Sequence, residues 1–571
     1  MTGRARQACQ SAGRYWHTLR HLRPSQVAWR LRYLIERRAG IRPRISLPAS
    51  APPLNAAALD RLALFISAWT RHAPPRAEQL AELRADRFTF LGETMPGDPM
   101  PPWACASASR LWRYQLHYFE YSAALAADPA ADHREADAAR VCAWVQDWVA
   151  CNPPGTDVAW DAFPTAQRLM NLCLAESIFR TDDALLRRSL AQQLDWLTRH
   201  LEFDVRANHL LKDAAALVVA GIVLNNVAQA AKGLRLLERE VAEQVLEDGG
   251  HYERSPMYHL HVLHDLLLVR SALHAPPAWL DNALARMTRF LAAVLHGDGD
   301  IPLFNDAVRE PACSGAAMVA WARALLPQDP LALGPLPRAL PDTGVYVLGP
   351  ADDAARMIVK AGAIGPDHQP GHAHADLLSF ELSVGATRVL VDSGVHGYAG
   401  SPWRAYGRSV RAHNAVCVDG REPIDCWGVF RVGRRTRAHV DAWTGDSLQA
   451  HHGGYAPWQH TRRIVFEAPG TWRVEDAVDG PGAVTAESYL HAPPGARFVQ
   501  SGDGWKLHCE DVTLHIALFG FESTHLVEGQ TDPQQGWYAP EFGHIAPAPA
   551  LVLRTHRGSA LRFGYTLSRT T

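Results

Sequence analysis

Gly371-His372-Ala373-His374-Ala375-Asp376, Val389-Leu390-Val391-Asp392-Ser393-Gly394 and Ala412-His413-Asn414-Ala415-Val416 follow one another in the second half of the chain. Each block sits beside a short apolar run that alternates or ends on glycine, the pattern of strands separated by turns. In extended backbone, residues two apart share a face, which points His372 and His374 toward one site. Asp392 closes one apolar run and His413 opens another, so both fall at strand ends. Two imidazoles, a carboxylate and a spare imidazole make a zinc-capable inventory. A chain with 28 His also produces some His-x-His pairs by chance.

Outward from these blocks the period-two pattern extends from Pro341 to the C-terminus. It predicts strands at 345–348, 355–360, 379–384, 388–392, 415–418, 436–440, 462–466, 471–478, 486–491, 512–517 and 551–554. So many strands without intervening helices predict an antiparallel β-sandwich. Toward the N-terminus the period changes to three and four. Helices are predicted at 110–127, 135–151, 164–180, 183–201, 209–228, 231–246, 257–273, 277–295 and 314–326. Short turns between them imply antiparallel helical hairpins, and the absence of a fixed repeat favours a toroid over a solenoid. Before these lie a Pro-rich arm at 41–57, a helix at 56–73 and a strand at 88–91.

The 571 residues exceed the roughly 250 to 300 at which one core stops growing. The predicted class is therefore α+β and multidomain: a basic arm and linker segment at 1–95, an incomplete α/α toroid at 96–335 and an antiparallel β-sandwich at 336–571. A net charge of −2 with interspersed signs argues against a nucleic-acid partner. Nine scattered Cys without a Cys-x-x-Cys pattern indicate neither a disulfide framework nor a thiolate zinc site. No signal-peptide h-region and no membrane-spanning run is present. The expected location is cytoplasmic, with periplasmic or membrane-peripheral placement as alternatives. The last of these follows from Trp16, Leu19, Leu22, Val27, Leu31, Leu34 and Ile35, which interleave with Arg as in a membrane-surface helix, although such segments more commonly pack on their own domain.

Two helical-half stretches break the bland pattern. Asn208-His209 stands at a predicted helix start, where Asn is also a good cap. The connection from Asp248 through Gly249-Gly250-His251-Tyr252-Glu253-Arg254-Ser255-Pro256-Met257-Tyr258 to His259 carries more polar and aromatic groups than a connector needs, which marks it as a site.

These blocks, in this order with Gly371 to Asp376, Asp392-Ser393-Gly394 and His413-Asn414, resemble the heparinase II/III family of polysaccharide lyases, from about residue 100 onward. The resemblance implies the toroid-then-sandwich fold and β-elimination at a uronic acid of an anionic polysaccharide, either glycosaminoglycan-like or a bacterial exopolysaccharide. It further implies that Asn208 neutralises the substrate carboxylate, that Tyr258 donates a proton to the leaving oxygen and also serves as a candidate base, and that His372 is the catalytic histidine. His374, Asp392 and His413 match zinc ligands, although some relatives carry calcium or no metal there. Arg254 or His259 would supply a positive field for Tyr258. Together with His209, Tyr252, Glu253, Tyr406 and Arg408 they are candidates for substrate contact. Three alternatives remain: a zinc hydrolase using the same His and Asp residues, a glycoside hydrolase built on Asp248, Glu253 and Asp265, and a non-catalytic glycan-binding protein of exopolysaccharide assembly.

Overall fold

The computed structural model describes residues 13–39, 45–97, 100–309, 313–350, 354–467 and 470–569. Helices fill the first half and strands the second. At the centre of the helical half is Ala207–Val223, a helix apolar on nearly all sides and almost wholly buried. An all-round apolar helix has to be surrounded. Here Ala162–Phe179, Val227–Gln244 and Pro256–Ala272 pack around it. Helix starts are set by side-chain caps: Asn226 accepts from Gln229 N, and Ser255 accepts from Tyr258 N with Pro256 as the first helical residue.

Several boundaries differ from the periodicity. The helix expected over 110–127 divides into Arg110–Tyr118 and Glu120–Ala126, because Phe119 adopts a left-handed conformation with φ 57°. Its ring lies 5.4 Å from that of Trp103 in a stacked arrangement, and the burial of this pair compensates the backbone cost. The helix expected over 231–246 starts four residues earlier, at the Asn226 cap. The segment before residue 95 is more than arm and linker. Helix Ala56–His72 buries Leu59, Leu62, Phe65 and Ile66 in the same core as the toroid helices. Residues 45 to 48 lie along helix Ala184–Arg199, where Gln192 and Arg188 donate to the carbonyls of Ile45 and Pro48, and Asn55 N donates to Val223 O at the end of helix Ala207–Val223.

In the second half, every named strand pair is antiparallel among the described residues. A five-stranded sheet runs in chain order from Ala339–Leu340 to Thr387–Leu390. An eight-stranded sheet has Thr471–Val484 and Gly558–Arg569 at its centre, and a four-stranded sheet contains Val416–Val418, Ala486–His491 and Ala550–Thr555. Leu382 and Leu390 of the first sheet share a core with Ile464, Trp472 and Leu514 of the second and Leu551 and Leu553 of the third. On its other face the five-stranded sheet meets the toroid, where Val345 and Ile358 pack against Phe290, Val294 and Phe304. This double cover explains why Val345–Leu348 and Phe380–Val384 are buried at every position rather than at alternate ones. Strands Ser447–Tyr455, Arg497–Ser501, Gly504–Cys509, Phe521–Val527 and Gly558–Arg569 lie outside the predicted set. Their glycines, histidines and arginines mask the alternation.

Candidate active site

The toroid and the sandwich meet along a line of buried side chains with Tyr258, His372 and Tyr398 half-buried among them, and both polar blocks of the toroid arrive there. Just ahead of Asn208, Arg206 and Ala207 both have positive φ, 66° and 53°, a backbone that costs on the order of 1–3 kcal/mol per residue. The turn is pinned from two sides. Arg206 Nη2 donates to Glu243 at 3.0 Å, and Gln244 Nε2 donates to Ala207 O at 3.0 Å. Asn208 therefore enters the helix already turned inward. Its side chain caps nothing; Nδ2 donates to Glu253 Oε2 at 2.8 Å.

Glu253 belongs to the Gly-rich connection. Gly249 and Gly250 are obligatory here, since a Cβ would stand 2.3 Å from Arg286 O at the first and 1.8 Å from Thr343 Oγ1 at the second. This tight path carries the chain across the sheet half and delivers Ser255 as the cap of helix Pro256–Ala272, which places Tyr258 in its first turn. Burial raises the Glu253 carboxyl, with His372 and Asn208 opposing it. Burial likewise pushes the Tyr258 hydroxyl well above the ordinary phenol range, so it is a proton donor at neutral pH. That hydroxyl is 3.1 Å from the hydroxyl of Tyr398.

From the sheet half, His372 lies with its ring 3.9 Å from that of Tyr258 and its Nε2 3.8 Å from Glu253 Oε1. The segment carrying His372 and His374 is a loop rather than a strand, yet the two rings do converge on one group. His372 Nδ1 donates to Asp306 Oδ2 at 2.9 Å and His374 Nε2 to Asp306 Oδ1 at 2.8 Å. Arg404 completes the clasp with a two-pronged pair on the same carboxylate. Burial alone would favour the neutral acid, but Arg404 and the two imidazoles outweigh it and hold Asp306 well below its ordinary range. Asn305 supports Asp306: its side-chain oxygen accepts from Lys360 Nζ at 2.5 Å and from His374 N at 3.1 Å, and Lys360 pairs in turn with Asp376.

His413 Nδ1 donates to Asp392 Oδ2 at 2.7 Å, and the His413 and His374 rings are 5.4 Å apart. His374 Nδ1 and His413 Nε2 are buried without a protein partner. Each ring has its other nitrogen on a carboxylate, the arrangement that fixes the tautomer of a metal-ligating histidine. The donor set suits zinc in kind. The carboxylate, however, is shared with His413 and with Gly394 N, and among the described residues no group of three or more His, Cys, Asp or Glu side chains is arranged as a ready metal cage.

Other expected contacts lie elsewhere. Arg254 turns away from Tyr258 and donates to the carbonyls of Tyr252, Asp342 and Thr343, which makes it a brace between the halves. His259 is buried, donates to Met287 O, and is held by burial at a pKa of about 4, so it is neutral and supplies no positive field. Tyr406 is buried with its hydroxyl 3.1 Å from Ser393 Oγ, and Arg408 is buried on the carbonyls of Ala373, Gly428 and Val429. Tyr252 is buried, with a hydroxyl lacking a partner. His209 stays half-exposed at the edge, 3.0 Å from Glu202 and against the ring of Phe163. Of the carboxylates considered for glycoside hydrolysis, Asp248 is tied to Thr343 and Asp265 to Lys212. Sequence reasoning overlooked Asp306, Tyr398 and Arg404. The signal for Asp306 was faint, an Asn-Asp pair closing the apolar run from Ile301 to Phe304.

A helical toroid joined to an antiparallel sandwich, with polar blocks of both at the seam, defines a two-domain architecture with known representatives. Residues 101–330 match the family model of the heparinase II/III N-terminus and residues 332–566 that of the heparinase II/III-like C-terminal domain. The chain belongs to the heparinase II/III family. It is 24% identical over 403 residues to a heparin-sulfate lyase of Pedobacter heparinus, covering 62% of this chain and 58% of that protein. It is 27% identical over 451 residues to the FtsZ-localized protein C of Caulobacter vibrioides, covering 71% of this chain and 73% of that one. The match to the lyase thus spans little more than half of that relative's length. Among solved structures, a heparan sulfate lyase HepC mutant from Pedobacter heparinus superposes with a TM-score of 0.59 at 20% identity, covering 90% of this chain and 88% of that one, a likeness of fold.

Proposed function

We propose that the chain is a polysaccharide lyase that cleaves a uronic-acid-containing anionic polysaccharide by β-elimination. The observation that carries this reading is the contact of Tyr258 with His372 across the seam, with Asn208 tied to the same spot through Glu253. The C5 proton of a uronate is only weakly acidic, and its removal builds charge on the carboxyl group. Hydrogen bonds that strengthen with that charge lower the barrier. Asn208 offers one amide N–H to Glu253 and keeps the second for the substrate carboxylate. His372, oriented through Nδ1 by Asp306, has Nε2 as the base for the C5 proton. Tyr258, protonated and backed by Tyr398, gives its proton to the departing glycosidic oxygen. The bond from C4 to that oxygen breaks as the C4–C5 double bond forms.

The relatives named as heparin-sulfate lyases support a glycosaminoglycan-like polymer as the substrate class. Zinc belongs to the same reading: His374, Asp392 and His413 would hold it next to the seam. Its support is the pair of unpartnered imidazole nitrogens, and its chemistry there is to fix the segments that carry the cleft residues. No step of the elimination passes through it. The test is a screen of heparan sulfate, hyaluronan, chondroitin, alginate and bacterial exopolysaccharides, read by ultraviolet absorbance of the unsaturated product. Cleavage that yields only saturated ends would replace the lyase by a hydrolase, and binding without cleavage would leave a glycan-binding protein.

A further inference from the structure

Helix Pro24–Arg38 docks on the toroid with the wrong face for a globular protein. Facing inward are Gln26, fully buried, Trp29, stacked 4.8 Å from Phe203, and Tyr33, which donates to Leu201 O at 2.6 Å. The aliphatic stripe at spacings of four, three and one points outward: Val27, Leu31, Leu34 and Ile35 are 41%, 55%, 44% and 62% exposed. The short helix before it, residues 13–19, adds Tyr15, Trp16 and Leu19, all about half exposed or more. These seven are half of the fourteen large hydrophobic side chains found exposed among the described residues. Single exposed apolar residues are ordinary, but seven between positions 15 and 35 mark a contact surface, although Tyr15 also meets the ring of Trp427 edge-on at 4.9 Å.

Charge narrows the choice of partner. Residues 13–39 contain seven Arg and one acid, Glu36. Three of these cations anchor the arm, Arg14 on Asp425 of the sheet half, Arg23 on Glu243 of the toroid and Arg30 on the carbonyl of Asp204, while Arg20 and Arg38 stay exposed beside the patch. Aliphatic side chains in a cationic rim suit the headgroup–acyl boundary of an anionic bilayer, where both terms contribute. An anionic glycan would use the Arg residues and leave Leu31 and Ile35 without a role. Among the described residues no helix is long and apolar enough to cross a membrane, so the contact is with the surface.

We propose that residues 13–39 form an interfacial arm that docks the chain on an anionic lipid bilayer. The arm is pinned to the toroid's own ion pairs: Glu243, which holds Arg23, also holds Arg206. The inference stands apart from the lyase reading, since it uses none of the seam residues.

The experiment is co-sedimentation of the full chain with vesicles of phosphatidylcholine alone or mixed with phosphatidylglycerol. Binding is expected to the mixed vesicles and to weaken with salt. Leu31→Ser combined with Ile35→Ser should lower the apparent affinity about tenfold or more without changing net charge or melting temperature. Trp16→Ala with Leu19→Ala serves if the first pair unfolds, and Val499→Ser with Leu526→Ser, exposed elsewhere, should bind as wild type. The proposal is overturned if the wild-type chain ignores the mixed vesicles at low salt or if the arm variants bind them undiminished. It is equally overturned if those variants only dissociate a dimer seen by sedimentation, which would make a second copy the occupant.

Discussion

Tyr258 of the helical half lies against His372 of the sheet half, their ring centroids 3.9 Å apart and their planes tilted by 30°. The proton donor comes from one half and the proton acceptor from the other, so the pair exists only where the halves meet. Tyr258→Phe keeps the ring, and so the packing on His372, while removing the hydroxyl. Turnover is expected to fall by about 10² to 10⁴ with melting temperature and substrate affinity close to wild type. Near-normal turnover in this variant would take the general-acid role away from Tyr258.

Asp306 accepts from two imidazoles and a guanidinium, all three on the sheet side. Asp306→Asn leaves Arg404 buried without its counter-charge, a loss of about 3–5 kcal/mol when one partner of a buried pair is removed. Released from the clasp, the His372 ring loses its set position, and a displacement near 1 Å costs about a hundredfold in rate. Thermal unfolding should show a lower Tm, and kinetics a kcat reduced well beyond any change in KM. Unchanged kcat in a folded variant would separate Asp306 from the chemistry.

Much of this arrangement was legible because function broke local patterns. Gly249-Gly250 followed by His, Tyr, Glu and Arg does not read as a helix connector, and the structure uses both glycines for close approach and Glu253 at the seam. The toroid's apolar spacing and the sandwich's alternation gave the architecture for the same reason: each periodicity reflects one buried face. What stayed hidden depends on long-range contact. Asp306 reads as a turn residue until His372, His374 and Arg404 are folded onto it from 66 to 98 positions away. Tyr398 and Arg404 were passed over for Tyr406 and Arg408, a few residues further on, because nothing local separates a Tyr or Arg that folds onto Tyr258 or Asp306 from one that folds onto Ser393 or backbone carbonyls alone. Phe119 broke a helix whose sequence is continuous, since the kink is rewarded by ring contacts with Trp103 and Trp148, which lie far from it in the chain, as well as with Tyr121.

Beneath the site, Arg462 pairs through two bonds with Asp476 and also donates to the carbonyls of Leu378 and Asn414, which ties the large sheet to the loops bearing His374 and His413. Burial opposes ionisation of Asp476, but Arg462 and His460 prevail and lower its pKa to about 2. A carboxyl depressed in the folded state contributes stability that is complete above its unfolded value, about 3.9, and lost as pH falls toward 2. Melting temperature should therefore drop across that window. Asp476→Asn should flatten this acid limb while lowering Tm at pH 7; an unaltered acid limb would assign the loss to other carboxylates.

Metal content is decided without reference to activity. If zinc joins His374, Asp392 and His413, elemental analysis of the purified chain finds about one ion per molecule, and chelation lowers Tm because a metal that binds only the folded state stabilises it. His413→Ala should abolish both effects. Absence of zinc together with a Tm indifferent to chelator leaves the His413–Asp392 hydrogen bond, at 2.7 Å, as the whole of that site.

Asn208 tests the elimination most directly, because its amide acts on charge that exists only as the C5 proton leaves. The resting structure shows one of its N–H groups held by Glu253 at 2.8 Å, which aims the amide and leaves the other donor available. Asn208→Ala removes that donor, and a single oxyanion-type donor is worth roughly 10² to 10³ in kcat. The ground-state carboxylate is already solvated, so KM should move far less than kcat. Glu253→Gln keeps a hydrogen-bond acceptor for the amide and is expected to cost less than Asn208→Ala. Should Asn208→Ala instead raise KM and leave kcat intact, the residue binds the uronate without stabilising its enolate, and charge neutralisation would have to come from another group at the seam.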